Sequence, residues 1–351
     1  MCMVTFDWKE TDAKEKAAQF KKKRTMVWAV IEVTNSCNFN CKWCYASSGY
    51  SSNHMSKENL TKLVGNLADS GVRQITYSGG EPTMYPYIRE AVKIAKDYGF
   101  VVHMNSNGYL ITREMAKELK SLGLSQVQTN IDSIDPKKHD KIRGKEGSFQ
   151  RAVKALKNVK EAGMTPVCQT VLTKMNENEI FDIFKLGRSL GTERCRTWDM
   201  MPVGFAKGKM DLRPTNYIET LKKLDKFAYE NGAIHIESGE PFFPLDYETN
   251  LDITNIPCVA RAGLLINISF DGEVYYCVTN REPMFNVFKD TNGETLEKVY
   301  RDKLAEFVQL RGILSKCEGC EFLTKCSGGC YTRRKYSDGY DYWCKDRIQS
   351  S

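Results

Sequence analysis

Residues 37–44 read Cys37-Asn-Phe-Asn-Cys41-Lys-Trp-Cys44, a C-x3-C-x2-C group that directly follows the strand-like apolar run Met26–Val33. With 13 cysteines in 351 residues, this pair of spacings arises by chance behind a given cysteine roughly one time in 700. Three thiolates this close in sequence can share one iron–sulfur cube and leave one iron without a protein ligand. A zinc knuckle is the alternative, but structural zinc sites use four ligands, and the next Cys or His is His54.

Outward from this group, short apolar runs alternate with amphipathic stretches. The alternation predicts strands at Met26–Val33, Gln74–Tyr77, Phe100–Met104, Gln126–Ile131, Thr165–Leu172 and Arg194–Trp198. Helices are predicted between them near Ser56–Asp69, Tyr87–Tyr98, Thr112–Leu122, Phe149–Ala162 and Glu177–Leu190.

Strand–helix alternation of this kind predicts an α/β fold with a parallel sheet. Six units are fewer than the eight that close a full barrel, so we expect a partial (β/α)6 TIM-like barrel with its site at the C-terminal ends of the strands. The predicted domains are an N-terminal extension (1–25), the partial barrel (26–200), a bridging region (201–257) and a small cysteine-rich iron–sulfur domain (258–351).

A second cysteine group defines this last region. Seven cysteines fall within residues 258–344, and those from Cys317 to Cys330 follow C-x2-C-x5-C-x3-C. That spacing arises by chance behind a given cysteine roughly one time in 20,000. Disulfides are disfavoured because the total is odd and no export signal is present. A zinc ribbon on Cys317 and Cys320 alone would leave five thiols without a role. We therefore predict a separate module held together by metal ligands.

Composition excludes several other classes of protein. Hydrophobic residues make up 41% and charged residues 27%, which is a globular mixture. No apolar run approaches the roughly 18 residues of a membrane span, so we predict a cytoplasmic protein that does not bind membranes. The net charge of +7 is spread along the chain, with one block at residues 21–24. No repeat of aromatic and basic residues is present, which argues against a nucleic-acid partner.

The first cysteine group and three later segments together resemble the radical S-adenosylmethionine (SAM) enzymes. The later segments each follow a predicted strand: Ser78-Gly79-Gly80-Glu81-Pro82, Asn105-Ser106-Asn107-Gly108, and the run from Asn130-Ile131-Asp132 to Arg143-Gly144. The resemblance implies a 4Fe–4S cluster on Cys37, Cys41 and Cys44 whose free iron binds SAM. It further implies reductive cleavage of SAM to a 5′-deoxyadenosyl radical that abstracts a hydrogen from the substrate.

The same resemblance implies a set of SAM contacts. Glycines allow close backbone approach, a carboxylate can accept from the SAM ammonium, and an arginine fork suits its carboxylate. An ion pair at a helix cap is the alternative role for the arginine, and loop packing is the alternative role for the tryptophan. The predicted cofactor-binding residues are Trp43, Gly79, Gly80, Glu81, Ser106, Asn107 and Arg143.

The C-terminal array resembles the SPASM extension of these enzymes, which holds two auxiliary 4Fe–4S clusters and brings the total to three. Carried over, the outer cluster would be held by Cys317, Cys320, Cys326 and Cys344, and the inner cluster by Cys258, Cys277 and Cys330. The inner cluster then lacks one ligand, so either Asp252 binds its fourth iron or that iron is open. The remaining cysteines are Cys2, Cys168 and Cys195, and the last two are expected to be core thiols.

The reaction implied by the resemblance is oxidative maturation of a peptide or protein, by cross-linking or side-chain oxidation, with the auxiliary clusters accepting electrons. The bridge Pro202-Val-Gly-Phe-Ala-Lys-Gly and the seven-cysteine module support this interpretation. The alternative within enzymes is oxidation or decarboxylation of a small molecule, as in a haem-pathway decarboxylase or an alcohol dehydrogenase. A pure electron carrier would need no SAM-binding segments. Expected partners are a reductant such as ferredoxin or flavodoxin, the substrate and a separate leader-recognition protein.

Overall fold

Strands and helices alternate along most of the barrel region of the computed structural model, which describes residues 26–49, 53–192, 194–230, 235–238, 258–310, 317–320, 323, 328–337 and 341–344. The strands are β1 (Trp28–Thr34), β2 (Gln74–Gly79), β3 (Val101–Asn105), β4 (Leu124–Asn130), β5 (Thr165–Leu172), β6 (Arg194–Asp199), β7 (His235–Ser238), β8 (Leu265–Ile268), β9 (Glu273–Cys277) and β10 (Asn280–Asn286). In the described residues they form one sheet, in the order β10-β9-β8-β1-β2-β3-β4-β5-β6-β7.

The helices connect and cover these strands. They are α1 (Lys57–Asp69), α2 (Ile88–Asp97), α3 (Arg113–Ser121), α4 (Pro136–Arg143), α5 (Ser148–Glu161), α6 (Ile180–Ser189), α7 (Tyr217–Glu230), α8 (Leu296–Leu310) and α9 (Tyr331–Lys335). In α1, the Ser56 hydroxyl accepts from a first-turn N–H, and one face packs on the sheet through Leu60, Leu63, Val64 and Leu67.

Every neighbouring pair from β1 to β7 is parallel. In β1 only Trp28 is partly exposed, as expected for a strand covered on both faces. The α/β fold with a parallel, TIM-like sheet is therefore confirmed. All six predicted strands are present, and β7 adds a parallel strand beyond them.

Helix α4 was not predicted from the sequence, which placed Arg143 in a loop. The Asp135 side chain accepts from the first-turn N–H of Lys137 (2.9 Å), and Pro136 supplies a first residue that needs no donor. Gly144 ends the helix in the left-handed conformation, at φ 64°. Arg143 is thus the last residue of a short capped helix, and the Asp-Pro and Gly signals that define this helix were present in the sequence.

The cysteine-rich region continues the barrel sheet in the described structure. β8 pairs with β1 in parallel, and β9 and β10 follow as antiparallel strands. A bidentate ion pair joins the two parts, because Arg281 in β10 donates to both carboxylate oxygens of Glu32 in β1 (2.6 and 2.9 Å). The sequence predicts a separate module here, whereas its first strands share the sheet of the barrel; the boundary at residue 258 stays a prediction.

Candidate iron–sulfur and SAM site

The loop that carries Cys37, Cys41 and Cys44 follows the C-terminal end of β1. The Cys44 N–H donates to the Cys41 carbonyl (3.3 Å), which closes a tight turn between these two cysteines. The Lys42 N–H donates to the carbonyl of Ile142 in α4 (3.1 Å), so this helix holds the loop from a second side. The predicted position of the site, at the C-terminal ends of the strands, agrees with this placement.

Burial of the thiols shows what kind of group the loop can hold. Burial raises the pKa of Cys37 to about 12 and that of Cys41 to about 11, and Arg143 lowers the pKa of Cys41 in part. Such thiols stay protonated unless positive charge stabilises the thiolate, and bound iron supplies that charge.

The donor set of the loop is one that a cluster accepts. It supplies three thiols, and each cysteine of a 4Fe–4S cube binds a different iron, so a cluster does not require thiols that converge on one point. In the part of the chain that the structure describes, no three Cys, His, Asp or Glu side chains are arranged to chelate one metal ion. The cluster on this loop stays a prediction.

Gly79 and Gly80 let the end of β2 cross closely over the start of the cysteine loop. The Gly80 N–H donates to the Thr34 carbonyl and the Glu81 N–H donates to the Ser36 carbonyl, both at 2.8 Å. A Cβ on Gly80 would lie 2.2 Å from the Ser36 carbonyl oxygen, which no side chain could tolerate without backbone movement. The glycine pair is thus required for the cysteine loop to begin where it does.

Glu81 is fully buried and accepts four hydrogen bonds from the chain itself. Its Oε1 accepts from the Thr83 hydroxyl (2.6 Å), the Thr83 N–H (3.1 Å) and the Ser106 hydroxyl (2.7 Å), and its Oε2 accepts from the Asn107 N–H (2.7 Å). Burial raises the pKa of this carboxyl. Glu81 therefore positions the Ser106–Asn107 loop, and its direct contact with a SAM ammonium stays a prediction.

Asn107 connects this loop to the cysteine loop. Its side-chain amide donates to Asn38 Oδ1 (2.7 Å), and its own Oδ1 accepts from the Tyr109 N–H (2.9 Å). The Ser106 hydroxyl accepts from the Gly108 N–H at 3.0 Å. The loops after β1, β2 and β3 are therefore one hydrogen-bonded unit. Contacts of Ser106 and Asn107 with SAM stay predictions.

Arg143 lies at the same edge, beside the cysteine loop. Its Nη1 donates to Asp132 Oδ2 (3.3 Å), and its guanidinium carbon lies 5.7 Å from the centre of the Phe39 ring. Asp132 is fully buried, and its Oδ1 accepts from the Val171 N–H (3.0 Å). The alternative role of Arg143 as an ion-pair partner is thus present, and contact with the SAM carboxylate stays a prediction. Asp132 was not predicted as a site residue, although its position just after the C-terminal end of β4 could have indicated that role.

Trp43 offers a donor to this region. The ring is buried against Ile142, Met200 and Ala206, and Nε1 has no hydrogen-bond partner among the described residues. A buried indole N–H ordinarily finds an acceptor. Trp43 therefore fits beside a ligand that supplies one, and its contact with SAM stays a prediction.

Three cysteines of the second group lie near one another. The thiols of Cys258 and Cys330 each interact electrostatically with that of Cys277, and burial raises the pKa of both Cys258 and Cys330. Tyr276, which stacks on Phe307 with ring centres 4.6 Å apart, lies against the same thiols. These three cysteines are those predicted to hold the inner cluster, which stays a prediction, and the proximity of Cys258 and Cys330 to Cys277 is compatible with it.

The outer set is described in part. Cys317 and Cys320 lie one turn apart, with the Cys320 N–H donating to the Cys317 carbonyl (3.2 Å). The Cys344 N–H donates to the Asp341 carbonyl at 2.9 Å. Cys326, Asp252 and Cys2 lie outside the described residues.

The two cysteines predicted as core thiols are both fully buried. Cys168 in β5 and Cys195 in β6 lie opposite one another in the sheet, within a hydrophobic cluster. Their burial agrees with the prediction that they are core thiols.

Asp199, at the C-terminal end of β6, is a buried anchor that the sequence did not reveal. Its Oδ1 accepts from Arg333 in α9 (2.7 Å), and its Oδ2 accepts from Tyr342 (3.0 Å) and from the Trp343 indole (2.8 Å). Asp341 accepts from the Cys330 N–H (2.6 Å) and also faces Arg333 (3.5 Å). These contacts fix the segments that carry the predicted ligands Cys330 and Cys344 to the C-terminal end of β6.

A cavity of about 390 Å³ separates the cysteine loop from this C-terminal region. Its lining comes from the end of the loop, the bridge at Gly204, the β9–β10 turn and α9, through residues such as Tyr45, Thr279, Asn280, Arg281 and Lys335. Arg281 is paired with Glu32, and Lys335 with Glu282. The Asn280 side-chain nitrogen is buried without a hydrogen-bond partner in the described structure. The cavity therefore offers a neutral, hydrogen-bonding surface.

Comparisons with known proteins agree with this geometry. The family model described as the Radical SAM superfamily matches residues 31–187. The AdoMet-dependent heme synthase of Nitratidesulfovibrio vulgaris is 27% identical over 340 residues, which cover 91% of this chain and 90% of that protein. The Fe-coproporphyrin III synthase of Methanosarcina barkeri is 38% identical over 233 residues, which cover 66% of this chain and 57% of that protein.

Two solved structures share the fold. Streptococcus suis SuiB bound to its precursor peptide SuiA superposes with a TM-score of 0.75 at 18% identity, covering 93% of this chain and 78% of SuiB. The enzyme anSMEcpe with bound AdoMet gives a TM-score of 0.70 at 19% identity, covering 93% and 94%. Among the described residues, no helix is both long and apolar enough to cross a membrane. The match to the Radical SAM superfamily model identifies residues 31–187 as a radical SAM domain.

Proposed function

We propose that this enzyme oxidises a side chain of a peptide or protein, with SAM as the consumed oxidant. The observation that carries the proposal is the cavity between the three-cysteine loop and the inner cysteine segments, because a substrate there would lie next to both. When bound, the 4Fe–4S cluster and SAM supply one-electron cleavage and hydrogen-atom abstraction. Two auxiliary clusters on the C-terminal cysteines would bring the total to three and accept electrons from the substrate.

The protein's own residues would hold the cluster and fix the loops that surround it. Cys37, Cys41 and Cys44 would hold the cluster, and Arg143 supplies fixed positive charge beside Cys41. Glu81 holds the loops in place, since its four hydrogen bonds leave little freedom at the end of β3. Such preorganisation keeps reacting groups aligned without rearrangement during turnover.

The lining of the cavity favours a peptide substrate. A volume of about 390 Å³ is enough for one large side chain with its adjoining backbone. Thr279, Asn280 and Thr332 in the lining are polar residues of the kind that can hydrogen-bond to a peptide backbone. Arg281 of β10 and Lys335 of α9 are already paired with carboxylates of the protein. A ligand with several carboxylates would therefore find little positive charge at these two residues.

A second candidate is oxidation or decarboxylation of a tetrapyrrole. The observation that favours it is the similarity to a heme synthase and an Fe-coproporphyrin III synthase, the former over most of both chains. A tetrapyrrole would have to occupy more than the described cavity.

The enzyme would need two partner proteins besides its substrate. A ferredoxin- or flavodoxin-type reductant would supply the electron that SAM cleavage needs. A separate protein would recognise a leader segment of the substrate, and the enzyme would act in the cytoplasm.

The inner cluster would take Asp252 as its fourth ligand or leave one iron open to substrate. An unchanged EPR spectrum of the inner cluster in Asp252→Ala would exclude the aspartate ligand.

The test follows 5′-deoxyadenosine release from anaerobically reconstituted protein with SAM, a reductant and source-cell extract divided by mass. We expect stimulation by the high-mass fraction, abolished by protease treatment of that fraction. Stimulation by the low-mass fraction alone would exclude a protein substrate and favour the tetrapyrrole candidate or another metabolite. Cys41→Ala is the control that removes SAM-dependent signal.

A further inference from the structure

Two threonine hydroxyls of the cavity lining connect to the sulfur of Cys277. The Thr279 hydroxyl is 3.2 Å from Cys277 Sγ, and the Thr332 hydroxyl is 3.4 Å from that of Thr279. Thr279 belongs to the β9–β10 turn, whereas Thr332 lies in α9, two residues after Cys330. Both threonines also line the cavity. The pair therefore connects the segment of Cys277 with the segment of Cys330.

The direction of these hydrogen bonds follows from the state of the cysteine. A thiol and a hydroxyl can each donate, but a metal-bound cysteine is a thiolate and has no proton to give. Only Thr279 can then donate to the sulfur, and its oxygen accepts from Thr332. The result is a chain of donors that runs from Thr332 through Thr279 to Cys277.

We propose that the Thr279 hydroxyl, supported by Thr332, raises the reduction potential of the inner auxiliary cluster by hydrogen bonding to the Cys277 thiolate. The inference rests on the proposed function, in which Cys277 is a ligand of that cluster. Hydrogen bonds to cluster sulfurs are one of the terms that set its potential. A donor stabilises the reduced form more, since that form carries one more negative charge. A higher potential makes the cluster a better acceptor for electrons that leave a substrate in the adjacent cavity.

The local surroundings strengthen the effect of this one donor. Cys258 and Cys330 lie beside Cys277 and are desolvated enough for burial to raise the pKa of both, and Tyr276, which stacks on Phe307, lies against the same thiols. A hydrogen bond in such a low-dielectric environment is electrostatically stronger than one in water. Thr279 is accordingly a positioning residue that acts on the cluster through its ligand.

The experiment is a redox titration of the inner cluster, followed by EPR, on the reconstituted full-length protein. Thr279→Val removes the donor, and we expect it to shift the reduction equilibrium about tenfold, to a potential lower by about 59 mV for a one-electron couple. Thr279→Ser keeps the hydroxyl and is expected to titrate near the wild type. A Thr279→Val potential equal to that of the wild type would overturn the proposal, and so would a Thr279→Ser potential as low as that of the valine variant.

A second measurement tests the hydrogen bond itself. The reduced inner cluster exchanged into D₂O should show a strongly coupled deuteron that is absent from Thr279→Val and weakened in Thr332→Val. A deuteron retained in Thr279→Val would contradict the assignment of the donor.

Iron content separates failure of this inference from failure of the proposed function. Cys277→Ala should lower bound iron and remove the inner-cluster signal. If Cys277→Ala leaves both unchanged, the ligand assignment itself fails. If it lowers both while Thr279→Val titrates as the wild type does, only the role of Thr279 fails.

Discussion

His139 is an uncharged imidazole inside the folded protein. It lies in α4 with 1% of its surface exposed, and its Nδ1 accepts from the Asp132 N–H at 3.1 Å. Burial, with a smaller contribution from Arg143, lowers its pKa from 6.5 to about 3. The ring therefore helps to fix Asp132, which in turn contacts Arg143, only while it remains neutral.

This pKa predicts loss of stability in mild acid. Below pH 6.5 the unfolded chain binds a proton at His139 that the folded protein does not take up until about pH 3. The free energy of unfolding should therefore fall as the pH falls, by about 2 kcal/mol between pH 7.5 and pH 5 from this residue. Urea unfolding of wild type and His139→Asn at both pH values measures it. An equal pH dependence in the two proteins would contradict the prediction.

Glu81 shows the limit of reading single residues from the sequence. Its place after the second predicted strand was apparent, and so was its relation to the glycine pair. Its four donors come from Thr83, Ser106 and Asn107, and the last two are 25 and 26 residues away. No sequence pattern specifies contacts between loops of different strands, so its positioning role emerged only from the fold.

At the scale of elements, the end of β6 fixes α9 and the segment around Cys344 to the barrel. Asp199 and Arg333 are about 95% buried, and 134 residues separate them. Removing one partner leaves a buried charge, which costs about 3–5 kcal/mol. We expect Asp199→Asn to lower the free energy of unfolding by about that amount and to expose the C-terminal region to protease.

The matched control for this prediction is an ion pair on the protein surface. Glu282→Gln breaks the pair with Lys335, whose side chain is 41% exposed. It should cost less than about 1 kcal/mol. Equal losses in Asp199→Asn and Glu282→Gln would refute the anchoring role of Asp199.

The bridge after β6 is expected to support cluster assembly. Gly204 adopts φ +56°, and a Cβ there would lie 2.2 Å from the Cys44 carbonyl oxygen and 2.5 Å from that of Tyr45. Gly204→Ala should displace the cysteine loop and reduce the iron bound after reconstitution. Gly208 has a similarly positive φ, but a Cβ there would meet no atom within 4 Å, so Gly208→Ala should retain its iron. Full iron content in Gly204→Ala would show that the close approach is dispensable.

At the scale of the molecule, the alternation of apolar runs was sufficient to predict the parallel sheet and its open barrel. Cysteine spacing was sufficient to predict the loop that begins at Cys37. The pairing of β8 with β1 was not predictable, because a four-residue buried strand, Leu265–Ile268, carries no partner information in its sequence. The cavity likewise depends on four segments, distant in sequence, that meet only in the fold.

The two cysteine regions should have separable functions, one in SAM cleavage and the other in product formation. Cys317→Ala and Cys320→Ala leave the SAM loop untouched and are expected to retain part of SAM cleavage while losing product. Chromatography of 5′-deoxyadenosine and mass spectrometry of the substrate measure the two outputs. Full product formation in either variant would contradict an electron-acceptor role for the outer cluster.

The most direct measurement is 5′-deoxyadenosine formation by the anaerobically reconstituted protein with SAM and dithionite, alongside the iron content of the same samples. We expect the wild type to release 5′-deoxyadenosine, and Cys37→Ala, Cys41→Ala and Cys44→Ala each to release none while binding less iron. Release from any of these three variants at the wild-type rate would show that this loop does not hold the cluster for SAM cleavage.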